Sequence, residues 1–216
     1  MAKSVLVIGA GRFGKYTIMK LHELGHHVLV VDKSEERLER VLPYTVSARI
    51  GDSTSEEFMK TLGIRNFDLC IVAIGDNFLS SLETTFLLSE LGAQKIVSRA
   101  TSGSQEKFLL RNGADEVVFP ERQFGSWTAI RYSSDYISNY IELVDDYAVF
   151  EITVPQRWDS KRIGELQVRK NYNLNILGVK NETMDMSITD KTVLKQGQVM
   201  LVLGKNSDVQ KLFTGR

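Results

Sequence analysis

The hexad Gly9-Ala10-Gly11-Arg12-Phe13-Gly14 directly follows the apolar run of residues 5–8, and that pairing constrains the fold of the 216-residue chain more than any other feature. A short unbroken apolar run marks a strand buried on both faces of a parallel sheet. A G-x-G-x-x-G pattern between such a strand and a helix makes a phosphate-binding turn. Its first glycine permits the tight turn, the second lets a phosphate approach the backbone, and the third lets helix and strand pack closely. Gly9, Gly11 and Gly14 take those places, ahead of a helix predicted over 15–24 and stopped by Gly25. The N-terminus of that helix attracts the anion.

The same rhythm continues for 120 residues. Further strands are predicted at 28–31, 46–50, 69–74, 96–99 and 117–119, with helices between them. Ser34 is placed to cap the second helix, Glu35 and Glu36 complement its dipole, and Pro43 ends it. Ser53 with Glu56, or Thr54 with Glu57, has capping-box spacing for a helix closed by Gly63. Six strands joined by helices make an α/β fold with a doubly wound parallel sheet of the Rossmann type. After Pro120 the pattern changes. Residues 122–140 read as one aromatic-rich crossover helix, suited to packing against a second copy or against the chain's own core. The acidic stretch from Glu142 to Asp146 reads as a boundary. Shorter strands (149–154, 174–179, 184–188, 199–203) and helices (160–166, 207–213) follow as a small α+β module. The expected domains are 1–142, including the crossover helix, and 146–216.

Open parallel sheets bind ligands at the C-terminal ends of their strands. Asp32 ends the second strand, where an acid accepts hydrogen bonds from ribose hydroxyls and repels a 2′-phosphate. The ligand is then NAD-like or a plain adenine nucleotide and not NADP. Lys33 follows without making an NADP signature, and Asp32 also fits as a cap of the turn before Ser34. Arg12, with Phe13 beside it, stands inside the glycine loop, where a dinucleotide needs room. A guanidinium there either clamps a terminal phosphate with two hydrogen bonds or remains a solvated arginine. Asp52-Ser53, Ile74-Gly75-Asp76 and Arg99 close strands three, four and five, with Asp52 and Asp76 equally suited to helix capping.

Composition narrows the chemistry. Lys+Arg and Asp+Glu are both 27, so there is no general attraction to nucleic acid or anionic lipid. The longest apolar stretches fall far below the roughly 18 residues of a membrane-spanning helix, and the start is too short in apolar residues for a signal peptide. The single cysteine, Cys70, excludes an intrachain disulfide, fits a reducing cytosol and sits in a core-like run. An oxidoreductase needs a proton donor or acceptor beside the transferred hydride. His22, His26 and His27 all fall in the first helix or its C-terminal turn, and the second module has neither His nor Cys. Tyr16 and Lys20 have Tyr-x-x-x-Lys spacing, but on the helix after the glycine loop, and read as a chance match. An NAD-dependent oxidoreductase of unassigned substrate is the alternative to a non-catalytic sensor.

The ordered set Gly9–Gly14, Val30-Val31-Asp32, Gly51-Asp52-Ser53-Thr54, Leu62-Gly63-Ile64-Arg65, Val72-Ala73-Ile74-Gly75-Asp76, Gly113-Ala114-Asp115 and Phe119-Pro120-Glu121 resembles the RCK/KTN family. Its members are cytosolic regulatory subunits of Trk/Ktr-type potassium uptake systems. The resemblance covers essentially the whole chain and implies a homodimer that assembles into an octameric ring. That ring docks on a membrane-embedded potassium-translocating subunit, so the chain is cytoplasmic and reaches the membrane through its partner. It further implies exchange of ATP and ADP in the first cleft, with NAD(H) as another ligand of some members, and a non-enzymatic role. By the same resemblance Arg12 meets the terminal phosphate, and Arg99 lies on the adenosine or phosphate side. Glu121 holds a divalent cation, Mg2+ or Ca2+, near the phosphates; as a first-turn acid it also suits its helix dipole. Arg169, Asn175 and Ile176 match positions that bind cyclic di-adenosine monophosphate in Gram-positive relatives. Those relatives often carry a proline where this chain has Met186-Ser187-Ile188-Thr189, which leaves that ligand open.

Overall fold

The structure is a computed structural model in which residues 1–214 are described, apart from the side chain of Thr214. It divides into two compact units, Met1–Gln123 and Phe124 onward.

In the first unit, strands and helices alternate as β1 (Ser4–Ile8), α1 (Arg12–Glu23), β2 (His27–Asp32), α2 (Glu35–Glu39), β3 (Ser47–Ile50), α3 (Glu56–Lys60), β4 (Leu69–Val72), α4 (Phe78–Glu90), β5 (Ile96–Arg99), α5 (Gly103–Arg111) and β6 (Glu116–Val118). The strands pair in the order β3-β2-β1-β4-β5-β6, and every pairing is parallel. Successive residues of β1 supply opposite faces of the sheet, as the two-residue period of a strand requires. Val5 and Val7 join Ile18 of α1 and Leu38 of α2 in one core, while Leu6 and Ile8 join Met59, Leu88 and Leu109 of α3, α4 and α5 in the other. These four apolar β1 side chains are at most 2 % exposed, each worth about 1.5–3 kcal/mol of transfer free energy. The strand order changes direction between β1 and β4, so the loops after those strands diverge and leave a crevice.

Several local details depart from expectation. α1 begins at Arg12 rather than Lys15, because Gly11 is extended (φ −64°, ψ −169°) and already acts as N-cap. His27 opens β2 and lies outside the turn after the first helix. Ser34 caps α2 as expected, accepting from the Arg37 N–H, but α2 stops at Glu39 and Pro43 sits in a separate 3-10 turn. α3 is capped by Ser55, whose hydroxyl accepts from the Phe58 N–H, and not by Ser53 or Thr54.

The larger correction follows Pro120. The helix expected over 122–140 is α6 (Pro120–Tyr132), and Ile137–Glu142 is a strand, β7. β7 pairs antiparallel with β8 (Tyr147–Thr153). The acidic stretch between them is a hairpin turn and not a domain boundary. Asp145 and Asp146 have φ of 54° and 65°, and the Tyr147 N–H donates to the Val144 carbonyl. Two consecutive left-handed residues define the turn that matches strand twist in a two-residue hairpin, and Asp tolerates that conformation. Residues 124–142, assigned by sequence to the first domain, thus belong to the compact second unit. The aromatic stripe is split accordingly: Tyr140 is buried in β7 and stacks on Phe150, while Phe124 and Tyr132 of α6 are exposed.

The second unit continues through α7 (Ile163–Leu166), α8 (Val168–Tyr172), β9 (Asn175–Lys180), β10 (Met184–Asp185), β11 (Val199–Lys205) and α9 (Asn206–Thr214). Its sheet runs β10-β9-β11-β8-β7 and is antiparallel throughout. Phe150 and Ile152 of β8, Met200 and Val202 of β11, and Val209 and Leu212 of α9 fill one core, while the intervening strand residues are more exposed. That alternation is normal for a sheet covered on one face.

Candidate functional site

The glycine loop is built by close approaches that only glycines allow. Gly9 has φ +101°, and its N–H donates to the Val31 carbonyl at 2.8 Å. A Cβ on Gly14 would fall 1.9 Å from the Gly9 carbonyl oxygen, whereas one on Gly11 would meet nothing within 4 Å. Gly14 therefore serves packing, and Gly11 leaves the backbone bare toward solvent. No side chain caps α1 and no acid lies in its first turn. The N–H groups of Arg12, Phe13 and Gly14 have no intrahelical acceptor at that position, and the helix dipole adds positive potential there.

This loop floors a cleft of about 1270 Å³ at the crevice between the β1 and β4 loops. That exceeds the ~300–1,000 Å³ of ordinary small-molecule sites, so a dinucleotide has room. Of the residues singled out from the sequence, Gly9, Gly11, Arg12, Phe13, Asp32, Lys33, Ser53, Ile74, Gly75, Asp76, Arg99 and Glu121 line it. Gly14 lies beneath the loop. Asp52 turns back into its own turn: Oδ1 accepts from the Thr54 N–H and hydroxyl, and Oδ2 faces Lys33 Nζ at 3.0 Å. Those Thr54 hydrogen bonds, with a smaller contribution from Lys33, hold its carboxyl below the usual carboxylate value. The Ser53 hydroxyl is also committed, 2.8 Å from that of Thr84 on α4, with both residues buried.

Asp32 is 8 % exposed, and both its oxygens hold backbone: Oδ2 accepts from the Ala10 N–H at 2.7 Å and Oδ1 from the Ser34 N–H at 2.8 Å. The acid thus ties the glycine loop to the start of α2, and it also lines the cleft. Arg37 places one guanidinium nitrogen 3.9 Å from Asp32 Oδ2 and the other 3.7 Å from Asp76 Oδ2. Lys15, Tyr16, Arg37 and Arg40 also line the cleft and were not anticipated. The signal was available, since the first turns of α1 and α2 both start at the ligand-binding edge of the sheet. Six cationic side chains line the cleft (Arg12, Lys15, Lys33, Arg37, Arg40, Arg99) against three carboxylates (Asp32, Asp76, Glu121). A chain with no net charge has therefore concentrated positive charge in one concave site. The lining contains neither histidine nor cysteine.

Arg99 and Glu121 form the far wall. Arg99 Nη2 donates to Glu121 Oε1 at 2.5 Å, and the guanidinium lies 5.6 Å from the centre of the Phe13 ring. Burial pushes the Glu121 carboxyl up, but its own backbone N–H, the Arg99 pair and the charge of Arg12 outweigh this and hold it below its usual value. Arg12 itself is exposed at the first position of α1 and forms no hydrogen bond or ion pair with a described residue. Cys70 is fully buried in β4, and burial pushes its thiol up to about 12, so it is a core residue. No group of three or more His, Cys, Asp or Glu side chains among the described residues is placed to hold a metal ion.

In the second unit, Arg169, Asn175 and Ile176 line a separate cleft of about 550 Å³, with Arg169 Nε donating to Asn175 Oδ1 at 2.6 Å. No helix among the described residues is long and apolar enough to cross a membrane.

Comparison with known proteins agrees with this two-unit reading. Residues 5–120 match the TrkA-N domain and residues 148–214 the TrkA-C domain. The chain is 36% identical over 210 residues to Ktr system potassium uptake protein A of Bacillus subtilis (strain 168), covering 97% of this chain and 95% of that one. It is 35% identical over 212 residues to protein C of the same system and organism, covering 98% and 96%. Among solved structures it superposes on the GsuK RCK domain with a TM-score of 0.67 at 19% identity, over 98% of this chain and 47% of that chain. It also matches the GsuK channel bound to NAD (TM-score 0.66, 19% identity, 96% and 38% covered) and GsuK bound to ADP (TM-score 0.53, 17% identity, 61% and 35% covered). The chain thus spans about half of the GsuK RCK domain chain and less of the full channel. With both domains matched in order and the Bacillus relatives aligned nearly end to end, the chain belongs to the TrkA/Ktr family of RCK proteins.

Proposed function

We propose that this chain is a cytoplasmic, nucleotide-sensing regulatory subunit of a potassium uptake system, acting as a gate and not as a catalyst. The observation that carries the reading is the uncapped N-terminus of α1 beneath a cleft whose cations outnumber its carboxylates two to one. Such a site recognises a polyanion. Asp32 facing the same cleft adds a ribose acceptor, so ATP and ADP are the ligands, with NAD(H) as a further one. The NAD- and ADP-bound GsuK structures and the Ktr relatives support this assignment. An NAD-dependent oxidoreductase is disfavoured because no histidine or cysteine lines the cleft and Tyr16 lies beside the phosphate-binding turn.

Gating requires that the ligand bind two assembly shapes unequally, since equal affinity shifts nothing. Inverting a 1:99 population takes a differential of ~5.5 kcal/mol. Arg12 is suited to supply about 1.4 kcal/mol of it at each site of a multi-site assembly, being exposed, without a hydrogen bond or ion pair to a described residue, and at the open helix end. Its guanidinium meets the terminal phosphate of ATP, in its own cleft or in that of a second copy within an octameric ring. The chain docks through that ring on a membrane-embedded Trk/Ktr-type subunit. Glu121, a carboxylate on the cleft wall, is the residue we assign to a Mg2+ or Ca2+ ion. A divalent cation takes about six oxygen ligands or more, so phosphate oxygens, water and a second copy's carboxylate complete such a set. In the second unit the Arg169–Asn175 cleft is the candidate seat of a cyclic dinucleotide. Calorimetric titration of the purified chain with ATP, ADP, AMP and NADH tests the reading. Binding of adenine nucleotides is expected, and no heat with any of the four would contradict it.

A further inference from the structure

Arg99 stands in the far wall of the cleft under unusual constraint. Its side chain is 18 % exposed, and its Nε is buried with no hydrogen-bond partner. It passes over Gly75 so closely that a Cβ there would lie 2.0 Å from Nη1. Phe13, the second residue of α1, supplies the ring against which the guanidinium rests. One nitrogen is already used on Glu121. Arginine binds phosphate through paired donors of its planar fork, so a guanidinium engaged by a carboxylate is only partly available to a phosphate.

We infer that Arg99 is a two-position arm whose contact with Glu121 competes with polyphosphate, and that Gly75 and Phe13 are the positioning residues that hold it. Paired with each other, Arg99 neutralises Glu121 and the two close the far wall. A phosphate chain entering from the α1 N-terminus takes over the guanidinium, including the unused Nε donor. Glu121 is thereby released, as an anion, when phosphate charge arrives. Cation binding at Glu121 then follows nucleotide binding and does not precede it. This inference rests on the nucleotide-sensing reading and adds an order of events to it.

The test is a set of ATP titrations in chelator, without divalent cation, on the wild-type chain, Arg99→Gln and Gly75→Ala, and on each of these three with Glu121→Gln added. Glu121→Gln is expected to tighten ATP about fivefold when Arg99 is present, the size of a part-exposed ion pair. In the Arg99→Gln background the same substitution should change affinity by less than about twofold. Gly75→Ala alters no charge and displaces only the far end of Arg99, so Glu121→Gln added to it should also gain nothing. Equal tightening in all three backgrounds would show simple charge repulsion and overturn the competing-arm inference alone. Absence of ATP binding to the wild-type chain would overturn the sensing reading, and the arm with it. Circular dichroism of each variant confirms that the affinities compare folded proteins.

Discussion

The Ala10 N–H donates to Asp32 Oδ2 at 2.7 Å, so the acid that ends β2 anchors the glycine loop as well as lining the cleft. Its second oxygen holds the Ser34 N–H, and the residue is nearly buried. Asp32→Ala should therefore destabilise the nucleotide-free chain by about 3 kcal/mol, because two hydrogen bonds to a charged acceptor are lost and their donors stranded. Asp32→Asn should cost about half as much. Urea unfolding without nucleotide checks this; unchanged midpoints would reduce Asp32 to a ligand contact.

The glycines of the loop should separate cleanly. Gly14→Ala drives a methyl into the Gly9 carbonyl, which is backbone and cannot swing away, so a loss of about 3 kcal/mol is expected. Gly11→Ala meets open space at an ordinary φ and should leave thermal stability within about 0.5 kcal/mol. It should still weaken nucleotide binding, since the methyl occupies the face a phosphate approaches. Melting curves paired with titrations distinguish the two behaviours.

Arg12→Ala should weaken ATP about tenfold, as expected for loss of one charge-assisted contact, while AMP changes little. Because Arg12 is exposed and forms no hydrogen bond or ion pair with a described residue, its charge acting on Glu121 only at longer range, stability should move by less than about 0.5 kcal/mol. Equal losses for ATP and AMP would remove its role at the terminal phosphate.

Asp208 offers a pH test in the second unit. Hydrogen bonds from Lys211 first, and then Asn173, hold its carboxyl below the ordinary 3.8. A depressed folded value means that its contribution is complete above the unfolded pKa and is lost as pH falls through the folded one. Asp208→Asn should thus be less stable than wild type at neutral pH, with the gap closing below pH 3.8. A gap that persists or widens in acid would contradict the assignment. Urea midpoints across pH measure it.

Much of the first unit was legible because its determinants are local. Gly25 and Gly63 both adopt positive φ just past the helices that the sequence has them close. The buried runs in β1, β2 and β4 could only be parallel strands once helices were found between them. Residues 137–142 were not legible: Tyr136, Ile137 and Tyr140 satisfy a helical spacing, and only pairing with β8 selects the strand. The Asp145-Asp146 hairpin was missed because two adjacent acids resemble a solvated linker until their left-handed φ values are seen. In the cleft, residues on the strand ends were found, as were Arg12 and Phe13 at the start of α1, whereas Lys15, Tyr16, Arg37 and Arg40 were not. α2 starts three residues beyond Asp32, with Ser34 as its N-cap, and this brings Arg37 within 3.9 Å of the acid.

The central claim is that nucleotide identity sets the shape of an assembly of this chain. Small-angle scattering with in-line sizing, on the purified protein saturated with ATP and then with ADP, tests it most directly. The account predicts an oligomer larger than a dimer in both, with different scattering profiles for the two nucleotides and the difference abolished by Arg12→Ala. A monomer in both nucleotides, or superimposable profiles, would contradict it.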